Sequence, residues 1–219
     1  MDGTGKENRM EQNVRIEIGP ITLDGLLGLP EKAKGVVLFA HGSGSSRLSP
    51  RNTFVARFLQ QGGLGTLLFD LLTKEEDADY ANRFNIDLLV RRLVAVTRWL
   101  TARPEGAGMA LGYFGSSTGA AAALRGAAEV GGAIAAVVSR GGRPDLATPF
   151  LAEVVSPTLL IVGERDAGVL ELNRQALARL TSVKELAIVP GATHLFEEQG
   201  ALEKVAELAR DWFVRHLAS

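Results

Sequence analysis

Six short, nearly continuous apolar runs, separated by segments with helical spacing, constrain this chain more than any other feature. They are residues 35–40 (GVVLFA), 65–69 (GTLLF), 109–114 (MALGYF), 134–138 (IAAVV), 158–162 (TLLIV) and 185–189 (ELAIV). Runs of this length without polar alternation fit strands buried on both faces. Between them, residues 52–61 carry Phe54, Val55, Phe58 and Leu59 on one face. Residues 85–100 do the same with Ile86, Leu89, Val90, Leu93, Val96 and Leu100, and residues 202–217 with Leu202, Val205, Leu208, Ala209, Trp212 and Phe213. Spacing by three and four puts each set on one stripe that covers a sheet. Strand and helix alternating in this way predict a mostly parallel α/β sheet with helices on both faces.

Two further strands precede the runs. Val14, Ile16 and Ile18 alternate with Arg15 and Glu17, Gly19-Pro20 interrupts, and residues 21–29 follow. This is the pattern of an antiparallel pair at a sheet edge. Residues 1–13 (MDGTGKENRMEQN) are polar and mixed in charge, and are expected to form a flexible tail ahead of a single domain at residues 14–219. The charged stretch 74–79 (KEEDAD) is expected to be a solvated turn, and the alanine-rich stretch 120–128 a closely packed helix.

Composition narrows the function classes. The formal net charge of −1 provides no field for nucleic acid or an acidic membrane surface. The absence of cysteine removes disulfides, thiolate metal sites and a cysteine nucleophile together. No apolar run has the length of a membrane span, and the N-terminus lacks the apolar core of a secretory signal. A cytoplasmic protein acting on a small molecule is the expectation, and nothing in the sequence specifies an oligomeric state.

Chemistry is expected at the carboxyl ends of the strands. The run 109–114 leads into Gly115-Ser116-Ser117-Thr118-Gly119 and then the alanine-rich helix. This is G-x-S-x-G between a strand and a helix. Small residues two before and two after the serine allow a sharp turn that holds its hydroxyl exposed in a strained conformation. Ser117 is therefore the candidate nucleophile, and Ser116 falls outside the frame. The competing reading of a glycine-serine loop is a tight turn with a helix-capping serine.

A serine hydroxyl needs a base. Of three histidines, His216 falls in the last turn of the terminal helix, where a surface position near the helix dipole is expected. His194, in Gly191-Ala192-Thr193-His194, follows the last strand and is the candidate base. In elbows of this kind the partners follow in the order serine, acid, histidine. Asp166, in Gly163-Glu164-Arg165-Asp166 after run 158–162, is the first-ranked acid, with Glu164 second and Asp145 third. Helix capping is the competing role for Asp166.

The loop His41-Gly42-Ser43-Gly44-Ser45-Ser46 follows the first apolar run. Backbone N–H groups from such a loop complete an oxyanion hole with that of the residue after the nucleophile, which names Ser43 and Thr118. His41 is expected to orient this loop near the substrate. A phosphate cradle is the competing reading, but the loop lacks the pattern and the lysine of a P-loop. Arg47, Arg140 and Arg143 follow strands at the same end. One of them is a candidate for a substrate carboxylate or phosphate, against structural pairing with Asp145.

The set AHGSGSS, GYFGSSTG, LLIVGERD and GATHLFEE resembles the α/β hydrolases of the dienelactone-hydrolase-like group, in order and over nearly the whole chain after the tail. The resemblance implies an eight-stranded, mainly parallel sheet without a large cap, and esterase or lactonase activity without metal or organic cofactor. The founding dienelactone hydrolases carry cysteine in the elbow where this chain has Ser117, so the family name is not a substrate. Residues 139–145 (SRGGRPD) resemble a segment of small, uncharacterised members. Some relatives are fused to a phosphoribosyltransferase domain, which is not expected here. The expected function is hydrolysis of an ester-like bond (carboxylester, thioester or lactone) through an acyl-enzyme. The alternatives are an acyltransferase using the same triad and a non-catalytic binding protein of the same fold.

Overall fold

Each apolar run becomes a strand of one sheet. The protein, described over residues 10–217 in a computed structural model, begins with the antiparallel pair β1 (Met10–Ile18) and β2 (Ile21–Leu29). There follow β3 (Val36–Ala40), α1 (Pro50–Gln61), β4 (Gly65–Phe69), α2 (Lys74–Asp77), α3 (Ile86–Thr101), β5 (Leu111–Ser116) and α4 (Thr118–Val130). β6 (Ala136–Arg140), β7 (Thr158–Gly163), α5 (Ala167–Arg179), β8 (Lys184–Val189) and α6 (Ala201–Leu217) complete the chain. The sheet has eight strands in the order β1-β2-β4-β3-β5-β6-β7-β8, and β3 to β8 are parallel. This is the architecture of the α/β hydrolases.

The helices divide between the two faces. Side chains of α1 and α6, among them Val55, Leu59, Val205, Trp212 and Phe213, pack with Val37, Phe39, Phe114, Val138 and Ile161. Residues of α3 and α4, among them Leu93, Val96, Leu100, Ala121 and Leu124, pack on the other face with Leu38, Leu67, Tyr113, Val137 and Leu160. Odd and even positions of one strand thus feed two separate cores, which is why these strands carry no polar alternation.

Several boundaries differ from expectation. β1 begins at Met10, because Met10 to Asn13 pair with Leu29 to Leu26 through backbone groups that do not need apolar side chains. The expected tail is thereby shortened, and residues 1–9 lie outside the described residues. β5 and β6 each lie two residues further on than their apolar runs. The ladder pairs Gly115 with Ser139 and Ser116 with Arg140, and so carries polar residues up to the site. β8 is a sheet edge with Lys184, Glu185 and Ile188 exposed, not a strand buried on both faces. The stretch 74–79 is more ordered than a turn: Thr73 caps α2 in a reciprocal pair with Glu76. Between β6 and β7 a 3₁₀ stretch at Pro144–Glu153 serves as the connection, with no inserted cap domain. No helix among the described residues is long and apolar enough to cross a membrane.

Candidate active site

The turn from β5 into α4 explains both glycines of the G-x-S-x-G motif. A Cβ on Gly119 would lie 2.1 Å from the carbonyl oxygen of Ala40 and 2.5 Å from that of His41. One on Gly115 would lie 2.5 Å from Cα of Ala120. α4 can approach the sheet this closely only with hydrogen at both positions. Ser117 between them has φ 52° and ψ −121°, a conformation L-residues avoid and which costs on the order of 1–3 kcal/mol. Its N–H donates to the carbonyl of Arg140 at 3.3 Å, and its carbonyl accepts from the N–H of Arg143 at 3.1 Å. Ser117 sits at the helix-capping position but makes no side-chain cap bond. Ser116 is buried within β5.

His194 and Asp166 come together across the ends of β7 and β8. Asp166 immediately precedes α5, yet its carboxylate makes no capping bond to that helix. Instead Oδ2 lies 2.6 Å from Nδ1 of His194. Asp166 is largely buried and His194 more open, with side-chain exposures of 17% and 40%. The imidazole lies over Gly141, where a Cβ would come within 3.5 Å of Nδ1 and Cε1. Among the described residues, the Ser117 hydroxyl and Nε2 of His194 form no hydrogen bond with each other. Such contacts commonly tighten only when substrate is bound. The competing acids are engaged elsewhere: Glu164 accepts the N–H of Gly191 at 2.8 Å, and Asp145 pairs with Arg143. His216 stacks against Trp212, with ring centroids 4.6 Å apart, in the last turn of α6.

The loop after β3 packs on Ser117, since a Cβ on Gly42 would lie 3.0 Å from Cβ of Ser117. His41 holds this loop. Its Nε2 accepts the N–H of Leu71 at 3.1 Å, so the proton resides on Nδ1 and is donated to the carbonyl of Gly42 at 3.0 Å. Burial pushes its pKa below the ordinary imidazole value, against the opposing pull of the Gly42 carbonyl, Asp70 and Asp77. Both nitrogens are thus committed to backbone groups, as the loop-orienting reading of His41 requires. Of the two expected oxyanion donors, the N–H of Ser43 is directed at Oγ1 of Thr118, at 3.0 Å. The N–H of Thr118 opens α4 and has no acceptor within that helix. An oxyanion engaging Ser43 must therefore displace the Thr118 hydroxyl, a competition that the motif alone does not reveal.

The three arginines separate cleanly. Arg47 pairs with Asp70 and, at 3.5 Å, with Asp24. Arg143 forms a two-pronged pair with Asp145 at 2.8 and 2.7 Å, which holds its pKa above the ordinary guanidinium value. Both therefore carry the structural pairing that competed with a substrate role. Arg140 is buried and pairs with no carboxylate among the described residues. One contributor had no motif to announce it. Phe196, two residues after His194, has φ 55° and is 1% exposed, anchoring the histidine loop in the core. Among the described residues, no three His, Cys, Asp or Glu side chains gather to hold a metal ion.

Comparison with known proteins places these features in a family. The model of the dienelactone hydrolase family matches residues 23–217. A protein of Mycobacterium tuberculosis named "Putative phosphoribosyl transferase" is 56% identical over 207 residues, which are 94% of this chain and 47% of that protein. The chain thus spans about half the length of the curated relatives it matches. The crystal structure of a dienelactone hydrolase from Anabaena variabilis superposes with a TM-score of 0.93 at 53% identity, over 95% of this chain and 99% of that one. Est1E from Butyrivibrio proteoclasticus shares the fold, with a TM-score of 0.82 at 16% identity over 94% of this chain and 99% of its own.

Proposed function

Because the chain belongs to the dienelactone hydrolase family, we propose that it is a serine hydrolase that cleaves an ester-like bond through an acyl-enzyme. The observation that carries this reading is the 2.6 Å contact between His194 Nδ1 and Asp166. It leaves Nε2 as the free basic nitrogen in a chain whose strained elbow presents Ser117. In the reaction Ser117 attacks the carbonyl, and His194 accepts the hydroxyl proton on Nε2. Asp166 holds the imidazole tautomer and stabilises the imidazolium. The N–H groups of Thr118 and Ser43 receive the oxyanion once the Thr118 hydroxyl gives way. His194 then protonates the leaving group, and a water activated by the same imidazole releases the acid.

The openness of His194 favours water over another acyl acceptor, because among the described residues its side chain is 40% exposed and the β6–β7 connection inserts no cap domain. The transferase name of the mycobacterial relative belongs to a protein about twice as long, and we assign hydrolase chemistry to the half that this chain matches. The test is a panel of short esters, thioesters and lactones assayed with wild type and Ser117→Ala, with and without an added alcohol or amine. Turnover that Ser117→Ala abolishes, with free acid as product, is the expected result. Turnover that survives in Ser117→Ala overturns the nucleophile, and an ester or amide product overturns the choice of water.

A further inference from the structure

Arg140 is a buried charge with no carboxylate partner among the described residues, and its backbone adjoins that of Ser117. It ends β6, follows Ala136 and Val138 onto the α1–α6 face of the sheet, and is 8% exposed. Its guanidinium lies 5.9 Å from the ring centroid of Phe196. Nε and Nη1 are enclosed by protein and have no hydrogen-bond partner. Nη2 makes no hydrogen bond among the described residues, and with 8% of the residue exposed it is the nitrogen left for a visiting group. A guanidinium withdrawn from water without a counter-ion is costly, and proteins ordinarily supply a carboxylate.

The surroundings increase the positive potential. Arg51, in the first turn of α1, is close enough for its charge to join burial in pushing the Arg140 pKa down to about 10. Arg51 shares one carboxylate, Glu197 at 3.1 Å, whose side chain is 65% exposed, and its own Nε is enclosed without a partner. Two neighbouring guanidiniums thus have one solvated carboxylate between them, and Arg51 holds it. The position is also close to the chemistry. The carbonyl of Arg140 accepts the N–H of Ser117 at 3.3 Å, and the next residue, Gly141, lies beneath the ring of His194.

We infer that Arg140, assisted by Arg51, forms a subsite for an anionic oxygen group, carboxylate or phosphate, carried by the substrate that Ser117 attacks. This inference rests on the serine hydrolase reading for its connection to catalysis, but the anion binding stands on Arg140 itself. Nη2 can donate a charge-assisted hydrogen bond to an oxyanion, and a bound anion supplies the counter-charge that the fold withholds. Arg47 and Arg143 cannot substitute, because their own carboxylates already occupy them.

The test compares three p-nitrophenyl esters of matched chain length: the mono-ester of glutarate with a free carboxylate, its methyl-capped neutral counterpart, and the ester of 4-phosphonobutyrate. Wild type is expected to prefer one anionic ester over the neutral one by more than tenfold in kcat/KM, and the preferred member identifies carboxylate or phosphate. Arg140→Gln is expected to cut that preference at least tenfold, mainly through KM. Arg51→Gln, a change at a less buried position, should cut it severalfold and serves if Arg140→Gln does not fold. Calorimetric titration with glutarate and with inorganic phosphate gives a readout independent of turnover, with binding expected in wild type and weakened at least tenfold in Arg140→Gln. No anionic preference in wild type, or a preference and binding unchanged in both variants, overturns the subsite. If neutral esters are turned over at Ser117 without an anionic preference, the subsite fails and the hydrolase stands. If Arg140-dependent anion binding persists while Ser117 is inert toward esters and fluorophosphonate, the hydrolase reading fails and the anion site stands.

Discussion

The carboxylate of Asp166 meets Nδ1 of His194 at 2.6 Å, joining the ends of two neighbouring parallel strands. This contact fixes which imidazole nitrogen carries the proton. Asp166→Asn is expected to present an amide to the same nitrogen and favour the wrong tautomer, lowering kcat by about 10³–10⁴-fold. Steady-state kinetics on a short p-nitrophenyl ester, with an unchanged circular dichroism spectrum, checks this. A loss below tenfold would mean that Asp166 does not orient the base.

Gly119 is expected to tolerate no side chain. Alanine there would place Cβ 2.1 Å from the carbonyl oxygen of Ala40, in backbone that cannot yield as a flexible side chain would. Overpacking of this kind costs about 1–3 kcal/mol, or a fall in Tm of roughly 2–12 °C for a chain of this size. Because the strain lies at the elbow, activity should fall by more than the unfolded fraction explains. Thermal unfolding and kinetics on the same preparation separate the two effects.

Thr118→Val is expected to release the N–H of Ser43 from its 3.0 Å bond to the threonine hydroxyl. An oxyanion then meets a donor with no competing acceptor. A net hydrogen bond is worth about 1 kcal/mol, which sets a ceiling of roughly fivefold on the gain in kcat. A tenfold loss would instead show that the Thr118 hydroxyl itself serves the transition state.

His41 should make stability sensitive to mild acid. Its pKa is held below the ordinary imidazole value of about 6.5 by burial, so below that pH the unfolded chain binds the proton more readily than the folded one. Its stabilising effect is therefore complete above about pH 6.5 and declines as pH falls toward the lowered folded-state value. Protonation also puts a hydrogen on Nε2, where the N–H of Leu71 must donate. In urea unfolding from pH 7.5 to pH 5, His41→Gln should be less stable than wild type at pH 7.5, and the gap should narrow toward pH 5. A gap that stays constant across the range would remove His41 as the source.

The sheet was legible because its inner strands are buried on two faces, which leaves long apolar runs with no alternation to misread. Strand ends were less so. Ser116 and Arg140 pair within the ladder although neither is apolar. Residues 10–13 enter β1 through backbone groups alone. α5 has only Leu170, Asn173 and Ala176 buried, too sparse a stripe to register as periodic in the sequence. In the candidate site, Ser117, Asp166 and His194 could be named because each follows a strand and their order is constrained. The contacts that depend on chain segments far apart could not. The bond from Ser43 to Thr118, the pairing of Arg47 with Asp70, and the proximity of Arg140 to Arg51 and Phe196 each join segments more than 20 residues apart, and no local pattern encodes them.

The central claim is that Ser117, activated by His194, is the nucleophile. Fluorophosphonate labelling followed by intact-mass and peptide mapping tests it most directly. One adduct per wild-type chain is expected, located on Ser117, with none in Ser117→Ala and labelling slowed at least a hundredfold in His194→Ala. An unlabelled wild type, or an adduct on Ser116 or another residue, would contradict it.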